Sequence, residues 1–482
     1  MRIAIIGGGI AGLAAAFELE QARKDGAAVE YTLFEARERL GGSLASEIVD
    51  GAVIERGPDS FLTEKPAGAE LCRELGLGAE LTPSNDASRK TYIVVRNRLV
   101  PLPDGLMFLI PTKLIPTVLT RLFSLSTKVR MGLELLLPPR PMDQDESVAS
   151  LVERHFGRET VERLADPLLS GIFGGDSAQL SARTVLPRLV EMESEYGSLT
   201  LGMLAAHRKM RARAKAQANG DGQNSGAPRA PRAVFTALRG GMQQLVDALT
   251  VRLDPASVRP STPVTGIARL ADSWRIESDE AKEHCDAVIM ASPAWATGAL
   301  LTPVDEALGR ELSAIPYSSS ITVNLVYDET QIGRLPDGFG FLVPAVEGRT
   351  MLACTFAHRK FLGRTPTGKA VLRAFLGGMK NEGLLTKSDD ELVTTVRREL
   401  SEILGAAVIP LTSRPEHTQV SRWPRAMAQY AVGHQERRER IAQRVATLPG
   451  LRLAGNAYDG IGIPDCIRLG RRAARELLAA GS

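Results

Sequence analysis

Residues 1–21 read MRIAIIGGGIAGLAAAFELEQ, and residues 29–42 read VEYTLFEARERLGG. The first stretch opens with a short β-branched strand, turns on glycines and runs into an alanine-rich helix. The second opens with a strand over Val29–Phe34, so a β-α-β unit is predicted. In Gly7-x-Gly9-x-x-Gly12 each glycine has a task. The first permits a tight turn, the second lets backbone approach a pyrophosphate, and the third lets helix and strand pack closely. A phosphate then rests on the free N–H groups and positive end of the helix, in the loop formed by Gly7, Gly8, Gly9, Ile10, Ala11 and Gly12. Glu35 closes the second strand about 20 residues on, where an acid takes the ribose hydroxyls of an adenine nucleotide. A lone GxGxxG is a weak signal. Here strand, helix and acid are all in place, which argues against a purely structural turn.

NAD and FAD share this half-site. Arg39-Leu40-Gly41-Gly42 follows Glu35 directly, and a second glycine pair with an arginine suits a chain that tracks the longer diphosphate and ribityl portion of FAD. Glu55-Arg56-Gly57-Pro58-Asp59 places another rigid turn where a flavin ring could lie. Near the C-terminus, LAGNAYDGIGIPDCI at 453–467 again reads as strand, glycine turn and helix start. A helix N-terminus there, behind Gly455 and Ile461-Gly462-Ile463, would stabilise negative charge on a reduced flavin. The competing reading is a third turn with no ligand.

Composition leaves these motifs in an ordinary globular chain of 482 residues, 44% hydrophobic and 24% charged, long enough for two or three domains. Fifty-nine basic residues against 56 acidic ones leave a net charge of +3, which gives no footprint for nucleic acid. Cys72, Cys285, Cys354 and Cys466 are scattered, form no CxxC pair and point to a reducing, cytoplasmic setting. The six histidines show no metal-ligand spacing. No secretory signal precedes the first strand. The uncharged run Ala287–Val304 carries Pro293 and Pro303 and reads as a buried strand followed by a helix start.

The predicted fold class is α/β: a Rossmann-like dinucleotide-binding domain, a mixed-sheet substrate domain, and a helical domain that covers a cavity or meets a membrane. The expected division is 1–65, 234–300 and 425–482 for the cofactor domain, 66–210 for the helical domain, 211–233 for a linker and 301–424 for the substrate domain. From Pro66 to about Arg211 the pattern is mainly helical. Within it Leu106–Leu137 is unusually apolar, but Lys113, Arg121, Lys128 and Arg130 interrupt it and exclude a conventional spanning helix. A lid whose apolar side covers a cavity is the commoner use of such a pattern; a monotopic surface touching lipid is the other. Arg211–Arg232 has no large apolar residue and reads as a flexible, basic linker. Strand signals follow around Trp274–Glu277, Ala287–Ala291, Ile321–Tyr327, Gly340–Val343, Met351–Phe356 and Leu451–Ala454. Helices are expected at Asp389–Leu404, at Glu436–Ala446 and from Asp465 onward.

GGGIAGLAAAFEL, LFEARERLGG, ERGPDSFL, DPLLSGIFGGD and GNAYDGIGIPDCI together resemble the porphyrinogen oxidases of haem synthesis, within the flavin amine oxidase and phytoene desaturase superfamily. The resemblance runs from Met1 to the last helix, with Arg211–Arg232 unmatched. It implies oxidation of a porphyrinogen, protoporphyrinogen IX or coproporphyrinogen III, to the porphyrin by removal of six electrons in three rounds. FAD takes a hydride each time and O2 reoxidises it to give H2O2. It also implies residue roles. Gly7–Gly12, Glu35, Ala36 and Gly42 match adenosine and diphosphate contacts; Gly57, Pro58 and Asp59 match the turn near the flavin. Val264 matches a backbone contact to adenine, and Trp423 with Ile461-Gly462-Ile463 matches late flavin contacts. For substrate, Gly171 matches a glycine whose carbonyl faces the tetrapyrrole. Leu342 and Phe361 fall where apolar residues sandwich its rings, and Arg89-Lys90 where a cation meets a propionate. Homodimerisation, contact with the inner face of the cell membrane and hand-over of product to a ferrochelatase stay open as partner relations.

Hydride loss driven by aromatisation needs positioning and a flavin ready to accept. No Ser-His-Asp, Cys-His or paired-carboxylate site is required, and none is visible in the sequence. Two other readings compete. An amine oxidase or carotenoid desaturase would share the opening motif, but amine oxidases usually place an aromatic pair before the flavin, where this chain has Ile461 and Ile463. A non-catalytic carrier on the same fold often loses the flavin, whereas Glu35, Arg39-Leu40-Gly41-Gly42 and Gly462 are all retained here.

Overall fold

The glycine turns spring from a five-stranded parallel sheet. β1 (Arg2–Ile6), α1 (Ile10–Lys24) and β2 (Glu30–Phe34) form its β-α-β unit, with β1 and β2 in register from Arg2↔Glu30 to Ile6↔Phe34. The other strands arrive from far along the chain: Val258–Arg259 beside β2, Ala287–Met290 on the other side of β1, and Leu451–Leu453 at the edge. The computed structural model describes residues 1–103, 106–107, 110–111, 116, 119–140, 144–220, 233–279 and 281–481.

A parallel sheet is covered on both faces, so its strands are apolar throughout. Ile3, Ile5, Leu33 and Ile289 face a core shared with α1, helix Gln243–Arg252 and the C-terminal helix Ile463–Gly481. Ala4, Ile6, Phe34, Val288 and Met290 face the opposite core, closed by the sheet Val264–Arg269, Trp274–Ser278, Lys282–Cys285 and helices Ala294–Leu301 and Glu306–Ser313. The run of small residues in α1 lets the C-terminal helix come close. A methyl group on Gly470 would overlap the carbonyl of Ala11.

The second large sheet has seven strands in the order His417–Ala428, Tyr317–Asp328, Lys369–Gly377, Met351–Phe356, Gly340–Leu342, Thr91–Val95, Arg98–Pro101. Only the pair Gly340–Leu342 with Thr91–Val95 is parallel. Along Tyr317–Asp328 the pattern alternates. Ile321, Val323, Leu325 and Tyr327 pack with Leu392, Val396 and Leu400 of helix Asp389–Leu404. Thr322 and Asn324 point the other way and are nevertheless buried, 3% and 1% exposed. Buried polar groups require partners, and theirs lie in the candidate site.

A third core is helical, gathering Leu125–Leu133, Val148–Phe156, Asp166–Phe173, Pro187–Tyr196 and the start of Leu199–Gly220. Its polar knot is His155, buried between Glu134 (Nδ1 to Oε1, 3.0 Å) and Glu193 (Nε2 to Oε1, 3.2 Å). Glu134 also accepts the backbone N–H of Leu199 at 2.6 Å. Burial alone would lower the His155 pKa, but the two carboxylates outweigh it and hold it raised.

Three expectations need correcting. The stretch after Pro66 is not mainly helical until about residue 125, because Leu81–Pro83, Thr91–Val95 and Arg98–Pro101 are strands. TYIVV and RLVP flank Arg96-Asn97 at φ 50° and 59°, the geometry of a tight hairpin turn. Residues 211–220 belong to helix Leu199–Gly220 rather than to a flexible linker. RARAKAQA is made of strong helix formers, which need no apolar anchor to continue a helix already begun. Residues 221–232 lie outside the described residues. Of the apolar stretch Leu106–Leu137, Leu106–Met107 and Ile110–Pro111 pair as short strands, while Leu125–Leu133 is helical; residues 104–105, 108–109, 112–115 and 117–118 lie outside the described residues. Pro111 and Pro116 prevent one continuous helix. Among the described residues no helix is long and apolar enough to cross a membrane, and no cluster of His, Cys, Asp and Glu could hold a metal ion.

Candidate cofactor and substrate site

Both ends of the chain deliver a glycine turn to the same edge of the parallel sheet, the carboxyl end, where open α/β sheets bind ligands. Gly7 has φ 113°, and a methyl there would lie 2.8 Å from the Ala291 carbonyl carbon. A methyl on Gly12 would overlap the Gly7 carbonyl oxygen. Gly9 is different: a methyl there meets nothing within 4 Å. It caps α1 with no side-chain hydrogen bond, and no acid stands in the first turn. The first N–H groups of α1 therefore face open space and suit an anion.

The second glycine turn is bonded onto the first. Gly41 donates its N–H to the Gly8 carbonyl at 2.8 Å, and a methyl on Gly42 would stand 3.2 Å from the Gly9 Cα. Arg39 sits inside this loop and donates to the carbonyls of Leu40 (2.9 Å), Gly42 and Leu44 (2.6 Å). Its guanidinium shapes the loop from within. Glu35 is clamped over the turn: Oε2 accepts from Gly8 N–H at 2.7 Å and Oε1 from Arg37 N–H at 2.9 Å. Each oxygen keeps a lone pair for a ribose hydroxyl. Ala36 follows, exposed. Thr262 N–H donates to the Glu35 carbonyl at 2.8 Å, which brings Val264 to the same end of the site.

In the C-terminal turn Gly455 has φ 131° and also faces space with nothing within 4 Å. Tyr430 pins the loop that follows: its hydroxyl donates to the Asn456 carbonyl and accepts the Gly460 N–H, both at 2.9 Å. Burial pushes this phenol far up, so it stays protonated and can donate. His434 stacks on Tyr430 with ring centroids 4.3 Å apart, and burial with Arg438 and Arg437 pushes its pKa down to about 4. Ile461 is half-buried, Gly462 N–H donates to Asp465 at 3.2 Å, and Ile463 opens the last helix. Asp465 also holds Lys65 at 2.6 Å. The fit to a dinucleotide rests on these features: two open glycine cradles, an uncapped helix start and a clamped acid.

The turn Gly57-Pro58-Asp59 meets Trp423. A methyl on Gly57 would overlap the Ser43 carbonyl and lie 3.6 Å from the indole, whose Nε1 donates to the Arg56 carbonyl at 2.8 Å. Pro58 is exposed beside it. Burial alone would raise the Asp59 carboxyl, but Lys360 at 2.9 Å and Arg373 at 3.6 Å hold it far below the usual range.

The structure brings some substrate candidates together and separates others. Gly171, exposed on helix Asp166–Phe173, faces Leu342: a methyl there would lie 3.2 Å from Leu342 Cδ2. Arg89 and Lys90 are exposed at the Gly340 end of the same sheet, with the Lys90 carbonyl accepting Phe339 N–H at 2.8 Å. Arg89 lies 4.0 Å from Asp86. Phe361 is 2% exposed, its ring flanked by Lys360 and Arg364 at 5.1 and 5.5 Å, so it belongs to the charged cluster under the Gly57 turn. The sequence did not reveal what fixes the loop after Gly171. Gln429 and Ser318 both donate to the Phe173 carbonyl, at 2.7 and 3.1 Å. Asp166 is buried against Lys380 at 3.0 Å and Ser177 at 2.9 Å. The signal was an acid in an apolar helix, DPLLSGIF; its partner lies 214 residues away.

A model of the family of flavin-containing amine oxidoreductases matches residues 10–478. The coproporphyrinogen III oxidase of Bacillus subtilis (strain 168) is 34% identical over 485 residues, spanning 99% of this chain and 97% of that one. The enzyme of the same name from Staphylococcus aureus (strain NCTC 8325 / PS 47) is 34% identical over 483 residues, spanning 99% of both. A solved structure from Exiguobacterium sp. 255-15, provisionally assigned as a protoporphyrinogen oxidase, is 32% identical and superposes with a TM-score of 0.85 over 99% of both chains.

Proposed function

The chain belongs to the flavin-containing amine oxidoreductase family, on its porphyrinogen oxidase branch, and from that premise we propose that it oxidises coproporphyrinogen III to the porphyrin. It is an FAD-dependent oxidoreductase. When bound, FAD supplies the hydride acceptor in each of three rounds, and O2 is the final acceptor, giving H2O2. The observation that carries the reading is the meeting of two open glycine cradles at one sheet edge. Gly171 of helix Asp166–Phe173 adjoins Leu342 of the neighbouring sheet, and together they offer a surface suited to a flat substrate.

The chain's own residues then act by binding and orienting. Gly7, Gly8, Gly9, Ile10, Ala11 and Gly12 take the diphosphate, Glu35 and Ala36 the ribose, and Val264 the adenine. Arg39 and Gly42 shape the diphosphate loop; Gly57, Pro58, Asp59 and Trp423 border the ring from one side. Gly455, Ile461, Gly462 and Ile463 border it from the other. Leu342 and Gly171 receive the tetrapyrrole, Phe361 backs the Gly57 turn, and Arg89 or Lys90 meets a propionate. Residues 1–65, 234–300 and 425–482 make the cofactor domain and 301–424 the substrate domain in this reading, with 66–210 contributing to both the substrate sheet and the helical layer.

Coproporphyrinogen is favoured by the full-length relatives of that name. Protoporphyrinogen IX is the second reading, favoured by the assignment of the Exiguobacterium protein. Contact with a lipid surface is supported by helix Leu125–Leu133 and the turn after it, where Leu125, Val129, Leu133 and Leu136 are 78%, 57%, 58% and 78% exposed. The test is anaerobic. Mixing the yellow holoprotein with coproporphyrinogen III bleaches the flavin, and air restores it; a flavin that stays oxidised overturns the proposal.

A further inference from the structure

The backbone from Glu55 to Asp59 is held almost entirely from outside. The Glu55 carbonyl accepts Asn324 Nδ2 at 3.0 Å, and the Arg56 carbonyl accepts Thr322 Oγ1 and Trp423 Nε1, each at 2.8 Å. The Gly57 carbonyl accepts a guanidinium N–H of Arg373, and the Asp59 carbonyl accepts Arg364 at 3.4 Å. Thr322, Asn324, Arg373 and Trp423 stand on three strands of the seven-stranded sheet. The sheet that carries Leu342 therefore sets the shape of the turn.

Charge adds to shape. Arg364 pairs with Glu55; Lys360 and Arg373 share Asp59. Three cations thus face two carboxylates, and Arg364 and Arg373 are only 5% and 4% exposed. Asn324, Phe361, Glu55, Asp59, Arg364 and Arg373 line a cavity of about 10 Å³, room for at most a single water molecule, so little solvent screens them. A buried, unmatched positive charge acts at several ångströms because the surrounding dielectric is low.

We propose that Arg373 is a positioning residue for the flavin: it fixes the Gly57 carbonyl and, through the net positive charge it gives the cluster, favours the electron-rich form of a ring lying over the turn. The inference rests on the reading that Gly57-Pro58-Asp59 borders the flavin. Removing the charge should lower the midpoint potential, and removing a carboxylate from the same cluster should raise it.

The test uses FAD-saturated protein and reads the midpoint potential, the visible spectrum and the melting temperature. Arg373→Met is expected to shift the reduced-to-oxidised ratio about tenfold toward oxidised, roughly 30 mV for a two-electron couple. Asp59→Asn is expected to shift it the opposite way. Arg373→Lys, which keeps the charge, should return the potential to near wild type. A saturated Arg373→Met with wild-type potential and spectrum but a lowered melting temperature would make the residue scaffold only. Should that variant fail to fold, an Asp59→Asn potential that is unchanged or lowered overturns the proposal on its own. The placement of the flavin is read separately. FAD added to apoprotein should quench indole emission, and Trp423→Phe should remove most of that quenching; quenching that survives in Trp423→Phe refutes the placement and the inference with it. Quenching that Trp423→Phe removes, together with an unmoved potential, refutes the inference alone.

Discussion

Two glycines three residues apart should fail in opposite ways. Gly9 has φ −70° and ψ 178°, a conformation any residue adopts, and a methyl there touches nothing within 4 Å. Gly9→Ala should therefore leave the stability of the apoprotein within ~0.5 kcal/mol of wild type. The space it enters is where a diphosphate would meet the first N–H groups of α1. Displacing the phosphate breaks about two charge-assisted hydrogen bonds of ~1.5–3 kcal/mol each. The sum of ~3–6 kcal/mol weakens FAD binding by about 10²- to 10⁴-fold; Gly9→Val, which is bulkier, should reach the upper end. Gly12→Ala is the contrast. Its methyl would overlap the Gly7 carbonyl oxygen, so α1 must move off the loop. That overpacking costs ~1–3 kcal/mol or more in the apoprotein itself. The assay is thermal unfolding of each apoprotein beside an FAD titration. A Gly9→Val protein that binds FAD within threefold of wild type, or an apo Gly9→Ala that melts as early as Gly12→Ala, would refute the assignment of that space to the cofactor.

Neutralising the exposed pair Arg89 and Lys90 should raise KM more than it lowers kcat, because a cation holding a propionate does not touch the reacting carbon. The effect should be larger for coproporphyrinogen, with four carboxylates, than for protoporphyrinogen, with two; wild-type constants in the double alanine variant would remove the pair from the site. His155 makes the helical layer sensitive to pH. Its pKa is raised above the ordinary 6.5, so its contribution is fully present below that value and is lost as pH rises through the folded value. His155→Gln should lower stability at pH 6 by ~3–5 kcal/mol, the cost of a broken buried pair, read as an earlier melting transition, and flatten the alkaline dependence; an unchanged profile counts against the His155–Glu134–Glu193 knot. Replacing Leu125, Val129 and Leu133 together with serine should abolish any flotation with anionic vesicles while leaving activity on soluble substrate intact; equal flotation of both proteins would rule this face out as the contact.

The β-α-β unit was legible because its signals are local: strand, turn, helix and Glu35 fall within residues 2–35, and the spacing alone specifies the geometry. Asp389–Leu404 was equally plain, with Ser388 and Glu391 as a capping box ahead of an amphipathic run. Two long strands were not. Lys369–Gly377 carries Lys369 and Arg373, and His417–Ala428 carries three charged or proline interruptions from Arg422 to Arg425. Their patterns make sense only once one face is seen to serve the Gly57 turn. The helix through residue 220 has no apolar pattern to announce its second half, because alanine, lysine, arginine and glutamine sustain a helix by propensity alone. Among the substrate candidates, Gly171 and Leu342 lie together in the structure, but Phe361 joins a charge cluster in which Arg373 bonds the Gly57 carbonyl 316 residues away, and no local pattern announces such partners.

The central claim is that this fold holds FAD in order to aromatise a porphyrinogen. The most direct measurement is porphyrin fluorescence developing under air from coproporphyrinogen III and from protoporphyrinogen IX, with the purified holoprotein and with Gly9→Val run side by side. The account predicts enzyme-dependent porphyrin formation, faster with coproporphyrinogen, accompanied by H2O2 and absent in the variant. Porphyrin formation no faster than in buffer with either substrate, from a protein shown to carry its flavin, would contradict it.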